Sequence, residues 1–187
     1  MRTRNKPAIV VLTAAAYAAL FELNTLLFSA FSFSTGVDWI YLPSGLRLAL
    51  VLVFGVWGAL GIILASIAID FIHYFNADVT TAVVTGLISG ASPLLARTIC
   101  VDRLGLNKDL TNLTTGKLLN AAVIFSVLSA TLHQLWFTFR GHTENFISSA
   151  AVMALGDLTG AILILYLAKY LFSQLTLHQF ESKSPEL

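Results

Sequence analysis

The sequence predicts an all-α fold: a polytopic transmembrane helical bundle of about six spans, with both termini cytoplasmic. Of the 187 residues, 57% are hydrophobic and only 11% are charged, whereas soluble domains usually carry about 25% charged residues. The mean hydropathy is +0.80. The apolar residues are gathered in six runs, and most positive charges lie in the connections on one side, which is typical of a multi-pass membrane protein.

The polar connections divide the chain into spans of one integral membrane domain, residues 1–187. The first apolar run is about as long as a bilayer-spanning helix of roughly 20 residues, so we expect it to remain uncleaved. Pro43 begins the second segment, and glycines recur where the second and third meet. Pro93 near the end of the fourth indicates a kink or stop. The spans are predicted at about residues 8–31, 42–57, 59–75, 79–96, 117–139 and 146–172.

The distribution of positive charges predicts the orientation of the bundle. An even number of spans places both termini on one side of the membrane. Nine basic residues fall on that side, namely Arg2, Arg4, Lys6, Arg97, Arg103, Lys108, Lys117, Lys169 and Lys183. Arg140 falls on the opposite side and Arg47 within the membrane. By the positive-inside rule the terminal side is cytoplasmic.

Several function classes have no support in the sequence. The net charge of +1 gives no basic field for nucleic acid. Cys100 is the single cysteine, so there is no CxxC site for zinc, haem or redox exchange. The chain has no Walker motif, nucleophile elbow or HExxH motif. We therefore predict no enzymatic activity, catalytic residue, metal or cofactor.

The predicted topology gathers polar side chains in the outer half of the membrane. Arg47 is costly there, by roughly 2.5–3.5 kcal/mol at the centre of a spanning helix, and ionisable residues at such depths usually mark a function. The predicted ligand-binding or intramembrane charge cluster contains Glu22, Asn24, Arg47, Asp70, His73, His133 and Asp157.

Three interpretations of this cluster remain open from the sequence. In the first, the residues serve only internal pairing, of Arg47 with Asp157 or Glu22, and of His133 with a backbone carbonyl or Asn24. In the second, they line an outward-opening cavity in which Arg47 holds an anionic group. A metal site formed by Asp70, His73 and His133 is the third interpretation, because the first two are spaced i, i+3. Proton relay through Glu22 and Asp157 is compatible with each.

Small residues predict where helices approach closely. Gly156 and Gly160 bracket Asp157, which favours a close backbone contact around this acid, with the second segment as the expected neighbour. The complete set of predicted packing glycines is Gly45, Gly55, Gly58, Gly86, Gly90, Gly156 and Gly160.

Two stretches resemble the bacterial membrane-associated sensor (MASE) domains of the first class. DWIYLPSGLRLALVLVFGVWGALGI, residues 38–62, resembles the family's segment in which an aromatic residue, a proline and a glycine begin a leucine-rich helix. ALGDLTGAILILYL, residues 154–167, resembles its closing segment. The matching positions are Pro43, Gly45, Gly55, Gly156, Asp157 and Gly160. The resemblance implies an inner-membrane input module, normally fused to a histidine kinase or a cyclic-dinucleotide enzyme.

Together these observations predict a non-enzymatic sensory or ligand-binding module of the bacterial inner membrane with an outward-facing polar cavity. Its expected partners are the lipid bilayer, a small-molecule ligand and a protein. Because HQFESKSPEL follows the last span, we expect a separate signalling output protein or transporter subunit. Two alternatives are the substrate-binding component of an energy-coupling-factor vitamin transporter and a structural subunit of a membrane complex.

Overall fold

The computed structural model describes residues 5–181, with side chains for residues 5–167. Arg2, Arg4 and Lys183, and the side chain of Lys169, lie outside this part. The described part contains six α-helices: α1 Lys6–Phe28, α2 Leu42–Phe54, α3 Val56–Ile69, α4 Val79–Arg103, α5 Thr115–Phe139 and α6 Phe146–Glu181. The predicted all-α helical bundle is confirmed.

Helix α2 lies at the centre of the bundle. The other helices surround it in the order α1, α3, α4, α5 and α6, and α2 packs most extensively against α6. Five helices of the described part are long and apolar enough to cross a membrane. α2 has only 13 residues, or about 20 Å at 1.5 Å per residue, against a hydrocarbon core of about 30 Å. It is a short, enclosed helix.

A glycine separates α2 from α3. Gly55 has φ +57° and ψ −130°, a backbone conformation that glycine adopts readily and residues with a Cβ avoid. The helix therefore breaks at Gly55, earlier than the predicted boundary at residues 57–59. Gly58 lies beyond the turn, where an added Cβ would come 2.6 Å from the Leu50 carbonyl oxygen.

A short β-hairpin connects α1 to α2. After a 3₁₀ turn over Ser29–Phe31, β1 (Ser32–Ser34) pairs antiparallel with β2 (Val37–Asp38). Gly36 has φ +71° at the turn. Val37 is fully buried, and both strands contact α6. The hairpin is thus folded onto the end of the bundle.

Helices α3 and α4 pack closely through glycines of α4. An added Cβ at Gly90 would lie 2.5 Å from Ile63, and one at Gly86 would collide with Ile67. α3 ends in a π-helical turn, Asp70–Tyr74. α4 continues through Pro93 to Arg103, so Pro93 does not end the helix, and α4 extends seven residues beyond the predicted span. Proline is tolerated within membrane helices because neighbouring groups satisfy the freed backbone.

Candidate functional site

Arg47 lies in the first half of α2, at the centre of the bundle, with 3% of its surface exposed. Its Nη2 donates to Asp157 Oδ1 on α6 at 3.0 Å. Its Nη1 donates to Ser89 Oγ on α4 at 3.3 Å. The guanidinium also lies over the rings of Tyr41 and Phe125, at 5.4 and 5.2 Å, where a cation is favoured electrostatically. The guanidinium of Arg47 therefore links α2 to both α4 and α6.

The backbones of α2 and α6 meet beside this ion pair. Gly45 has no room for a Cβ, which would lie 2.6 Å from the Gly160 carbonyl oxygen. A Cβ at Gly160 would collide with the Tyr41 carbonyl. Ser44 Oγ has the carbonyl oxygens of Tyr41 and Asp157 as acceptors, each at 2.7 Å. The small residues thus let Arg47 reach Asp157.

A chain of polar contacts continues from Arg47 to α5. Ser89 Oγ lies 3.4 Å from His133 Nε2, and His133 Nδ1 lies 2.8 Å from the Ser129 carbonyl oxygen. Because a carbonyl only accepts, Nδ1 carries a proton, and in the neutral ring Nε2 accepts from Ser89. Of the two predicted partners of His133, the structure shows the backbone carbonyl.

The ion pair lines a cavity of about 50 Å³, room for a few water molecules at about 10–15 Å³ each. Its wall includes side chains of α1, the α3–α4 connection, α4, α5 and α6, and the hairpin contributes Gly36 and Asp38. Arg47 Nε and Asp157 Oδ2 have no hydrogen-bond partner among the described residues. Ser129 lies near the Asp157 carboxylate without meeting hydrogen-bond geometry.

Asp70 lines the same cavity from the π-helical turn. Its Oδ2 lies 2.7 Å from Thr85 Oγ1 on α4. Four residues of the predicted cluster therefore line one cavity: Arg47, Asp70, His133 and Asp157.

The other three residues of the predicted cluster lie outside this cavity. Glu22 is 61% exposed and pairs with His73 at 3.1 Å, so Glu22 does not pair with Arg47. Asn24 is buried, and its Oδ1 accepts from the backbone N–H of Leu42 at the start of α2. His73, which pairs with Glu22, does not line the cavity either. Among the described residues, no three His, Cys, Asp or Glu side chains converge to hold a metal ion.

Sequence reasoning missed several contributors to the cavity wall, among them Tyr17, Tyr41 and Asp38. Tyr17 on α1 and Tyr41 contact each other through their hydroxyls at 2.9 Å, and both line the cavity. Their spacing in the sequence gives no indication of this contact. Asp38 lies in the hairpin, where burial raises the pKa of its carboxyl, opposed by a hydrogen bond from Ser32.

A second polar cluster joins two connections near the hairpin end of the bundle. Asp78 caps α4 by accepting from the Thr81 N–H at 3.0 Å, and it also accepts from Arg140 Nη2 at 2.8 Å. His142 Nε2 lies 3.4 Å away. The hydrogen bonds from Thr81 and Arg140 lower the pKa of Asp78. An Asp directly before a helix is an N-cap signal that sequence reasoning could have used.

Apolar helices around a buried ion pair and a small polar cavity define a multi-pass integral membrane protein with an internal polar site. The chain matches the family model MASE1 over residues 8–187 and belongs to this family of membrane-associated sensor domains. The predicted resemblance is confirmed. No curated protein and no solved structure matches the chain.

Proposed function

We propose that this protein is a non-enzymatic sensory module in which the Arg47 cavity receives the signal and α6 transmits it to a separate partner protein. The observation that carries the proposal is the buried Arg47–Asp157 pair. It lies in the cavity wall and ties the central helix to α6. A ligand that competes for either charge would change the contact between these helices.

Helix α6 supports the transmitting role. It has 36 residues, or about 54 Å at 1.5 Å per residue, well beyond a hydrocarbon core of about 30 Å. Asp157 lies in its first half, and the helix continues to the far end of the bundle. A displacement at Asp157 is therefore carried along one rigid element out of the membrane.

The small cavity favours sensing over vitamin capture. Pockets for drug-sized molecules usually measure about 300–1,000 Å³, against about 50 Å³ here. A ligand of a few heavy atoms, or an ion, fits the space between the charges. Gly36 and Asp38 of the hairpin line the cavity, and the hairpin lies at the predicted outer end of the bundle, which supports an outward-facing site. With the basic residues of the opposite end cytoplasmic, the stimulus would arrive from outside a bacterial inner membrane.

Native mass spectrometry of the full chain, extracted gently from its own membrane, tests the proposal. The spectrum reports both a bound small mass and a companion chain. We compare the natural protein with Arg47→Gln, which removes the charge from the cavity. Arg103→Gln is the matched control, because Arg103 is exposed at the end of α4, away from the cavity. Thermal unfolding first establishes that each variant is folded.

A sensory module predicts a companion signalling protein whose retention changes in Arg47→Gln and not in Arg103→Gln. A retained molecule of vitamin size that is lost in Arg47→Gln would instead establish substrate capture. A companion chain bound equally by all three proteins, with no small mass, would establish a structural subunit. Either of the last two results overturns the proposal.

A further inference from the structure

We infer that Asp70 binds an exchangeable proton within the cavity, which makes the hydrogen ion the ligand of this site. The inference deepens the proposed sensory function and rests on it for its biological meaning. It is carried by the three carboxyl groups that share one arginine in the cavity wall and by the contacts of Thr85 with Asp70.

The Thr85 hydroxyl has more oxygen neighbours than hydrogens. Its Oγ1 lies 2.7 Å from Asp70 Oδ2, 2.7 Å from the Thr81 carbonyl oxygen and 3.2 Å from the Ala82 carbonyl oxygen. A hydroxyl has one hydrogen to donate, and neither a carbonyl nor an ionised carboxylate has any. With Asp70 ionised, the single Thr85 hydrogen is shared between these acceptors, as the Ser44 hydrogen is shared between two carbonyl oxygens. With a proton on Asp70 Oδ2, Asp70 donates to Thr85 and Thr85 donates to Thr81, so each of the two 2.7 Å contacts has its own hydrogen.

The surroundings of Asp70 do not supply another counterion. Arg47 is the cation of the cavity, and its shortest hydrogen bond goes to Asp157. His133 is held by the Ser129 carbonyl and faces Ser89 through its other nitrogen. The titratable groups around the cavity are Tyr17 of α1, Tyr41 and Arg47 of the central segment, Asp38 of the hairpin, His133 of α5 and Asp157 of α6, with Tyr74 on the same turn as Asp70.

These groups cannot neutralise all of the acids. One arginine faces three carboxyl groups in a space of about 50 Å³, and uncompensated charge is costly at low dielectric. Metal ions prefer several converging ligands, and no three His, Cys, Asp or Glu side chains of the described residues converge in this way. A proton needs one oxygen and one acceptor, which Asp70 and Thr85 provide.

The position of Asp70 links its proton to the helices. Asp70 begins the π-helical turn that ends α3, and such turns frequently occur at functional sites. Loss of the proton to cavity water leaves a carboxylate near the cavity wall, where it attracts Arg47 away from Asp157. The proton thus acts on the α2–α6 contact that transmits the signal.

Infrared difference spectroscopy of the full chain in lipid nanodiscs tests the inference. A protonated carboxylic acid gives a carbonyl stretching band that shifts in D₂O and disappears as the acid ionises. We expect this band in the natural protein at mildly acidic pH, with loss as the pH is raised through neutral. We expect its loss in Asp70→Asn, and a shifted band in Thr85→Val, which retains the acid and removes its acceptor. Asp78→Asn is the matched control and should leave the band unchanged.

Absence of the band from the natural protein, its persistence in Asp70→Asn, or an unchanged band in Thr85→Val would each overturn the inference. Loss of the band in sodium but not in potassium solution would also overturn it, because the site would then hold a metal cation. The infrared measurement does not depend on a partner protein. A failed proton assignment therefore leaves the sensory proposal standing, and a failed partner experiment leaves the proton assignment standing.

Discussion

At the scale of single residues, Arg47 and Asp157 form the most deeply buried ion pair among the described residues. Their charged groups are almost completely buried and lie 3.0 Å apart. Removal of one partner of such a pair leaves an uncompensated buried charge, whereas replacement of both partners removes the charges together. The two residues are therefore expected to behave as one unit in mutagenesis.

We predict that Arg47→Gln lowers the free energy of unfolding by about 3–5 kcal/mol. The double variant Arg47→Gln/Asp157→Asn should lose clearly less than the sum of the two single losses, since neither charge is left alone. Reversible unfolding in mixed micelles, analysed as a double-mutant cycle, measures this coupling. Strictly additive losses would show that the pair contributes nothing.

We predict that the contact of Asp78 with Arg140 and His142, which joins the α3–α4 and α5–α6 connections, is sensitive to acid. Its folded-state pKa lies below the unfolded value of about 3.9, so the folded state binds fewer protons. Its stabilising contribution is complete above the unfolded pKa and is lost as the pH falls through the folded pKa. Asp78→Asn should therefore reduce the loss of thermal stability as the pH falls below about 4, measured by intrinsic fluorescence.

Asp102→Asn provides the comparison, because Asp102 is an exposed carboxylate at the other end of α4. It should retain the acid-dependent loss of the natural protein. An Asp78→Asn variant with the same loss as the natural protein would rule out the contact as its source.

Sequence reasoning identified Arg47 and Asp157 because a charge in lipid needs a partner. The choice between Asp157 and Glu22 required the fold. Both acids were assigned to the outer half of the membrane, but Glu22 is exposed beside His73. Tyr17, Tyr41 and Asp38 were missed as cavity residues, because their role depends on which helix faces are brought together.

At the scale of elements, the contact between α2 and α6 depends on the absence of side chains. We predict that Gly160→Ala destabilises the protein by about 1–3 kcal/mol, as overpacking does, because the new Cβ would collide with the Tyr41 carbonyl. That backbone cannot move without separating the helices. Thermal unfolding in detergent measures the effect.

Gly116→Ala is the matched control for this contact. It lies in the first turn of α5 with no atom within 4 Å of an added Cβ, and alanine is the better helix former by about 1 kcal/mol. This variant should be at least as stable as the natural protein. Equal stability of Gly160→Ala and Gly116→Ala would refute the close contact.

The hairpin and the short length of α2 could not be predicted from the sequence. β1 and β2 have three and two residues, too few for an alternating apolar pattern, and packing on α6 holds them in place. The break at Gly55 falls within a continuous apolar run, and three glycines offered alternative positions for it. Only the positive φ of Gly55 marks the turn.

At the scale of the whole molecule, hydropathy predicted the class of fold because each helix must satisfy its backbone hydrogen bonds within the membrane. This requirement makes long apolar runs helical, and five of the helices meet the spanning criteria by length and composition. The order of packing, with α2 enclosed by the others, depends on side-chain fit between distant segments. This packing order leaves no recognisable pattern in the sequence.

The orientation of the bundle gives the last prediction. The basic residues of the described chain lie mainly at the end that carries Lys6, Arg97 and Lys108, whereas the hairpin lies at the other end with Arg140 and Glu144. By the positive-inside rule the first end is cytoplasmic. In a Cys100→Ala background, a membrane-impermeant maleimide should label Glu144→Cys in intact cells and Lys108→Cys only after permeabilisation. Both positions are exposed, so accessibility to the reagent depends on the membrane alone. The reverse pattern would place the cavity mouth toward the cytoplasm and the signal source inside the cell.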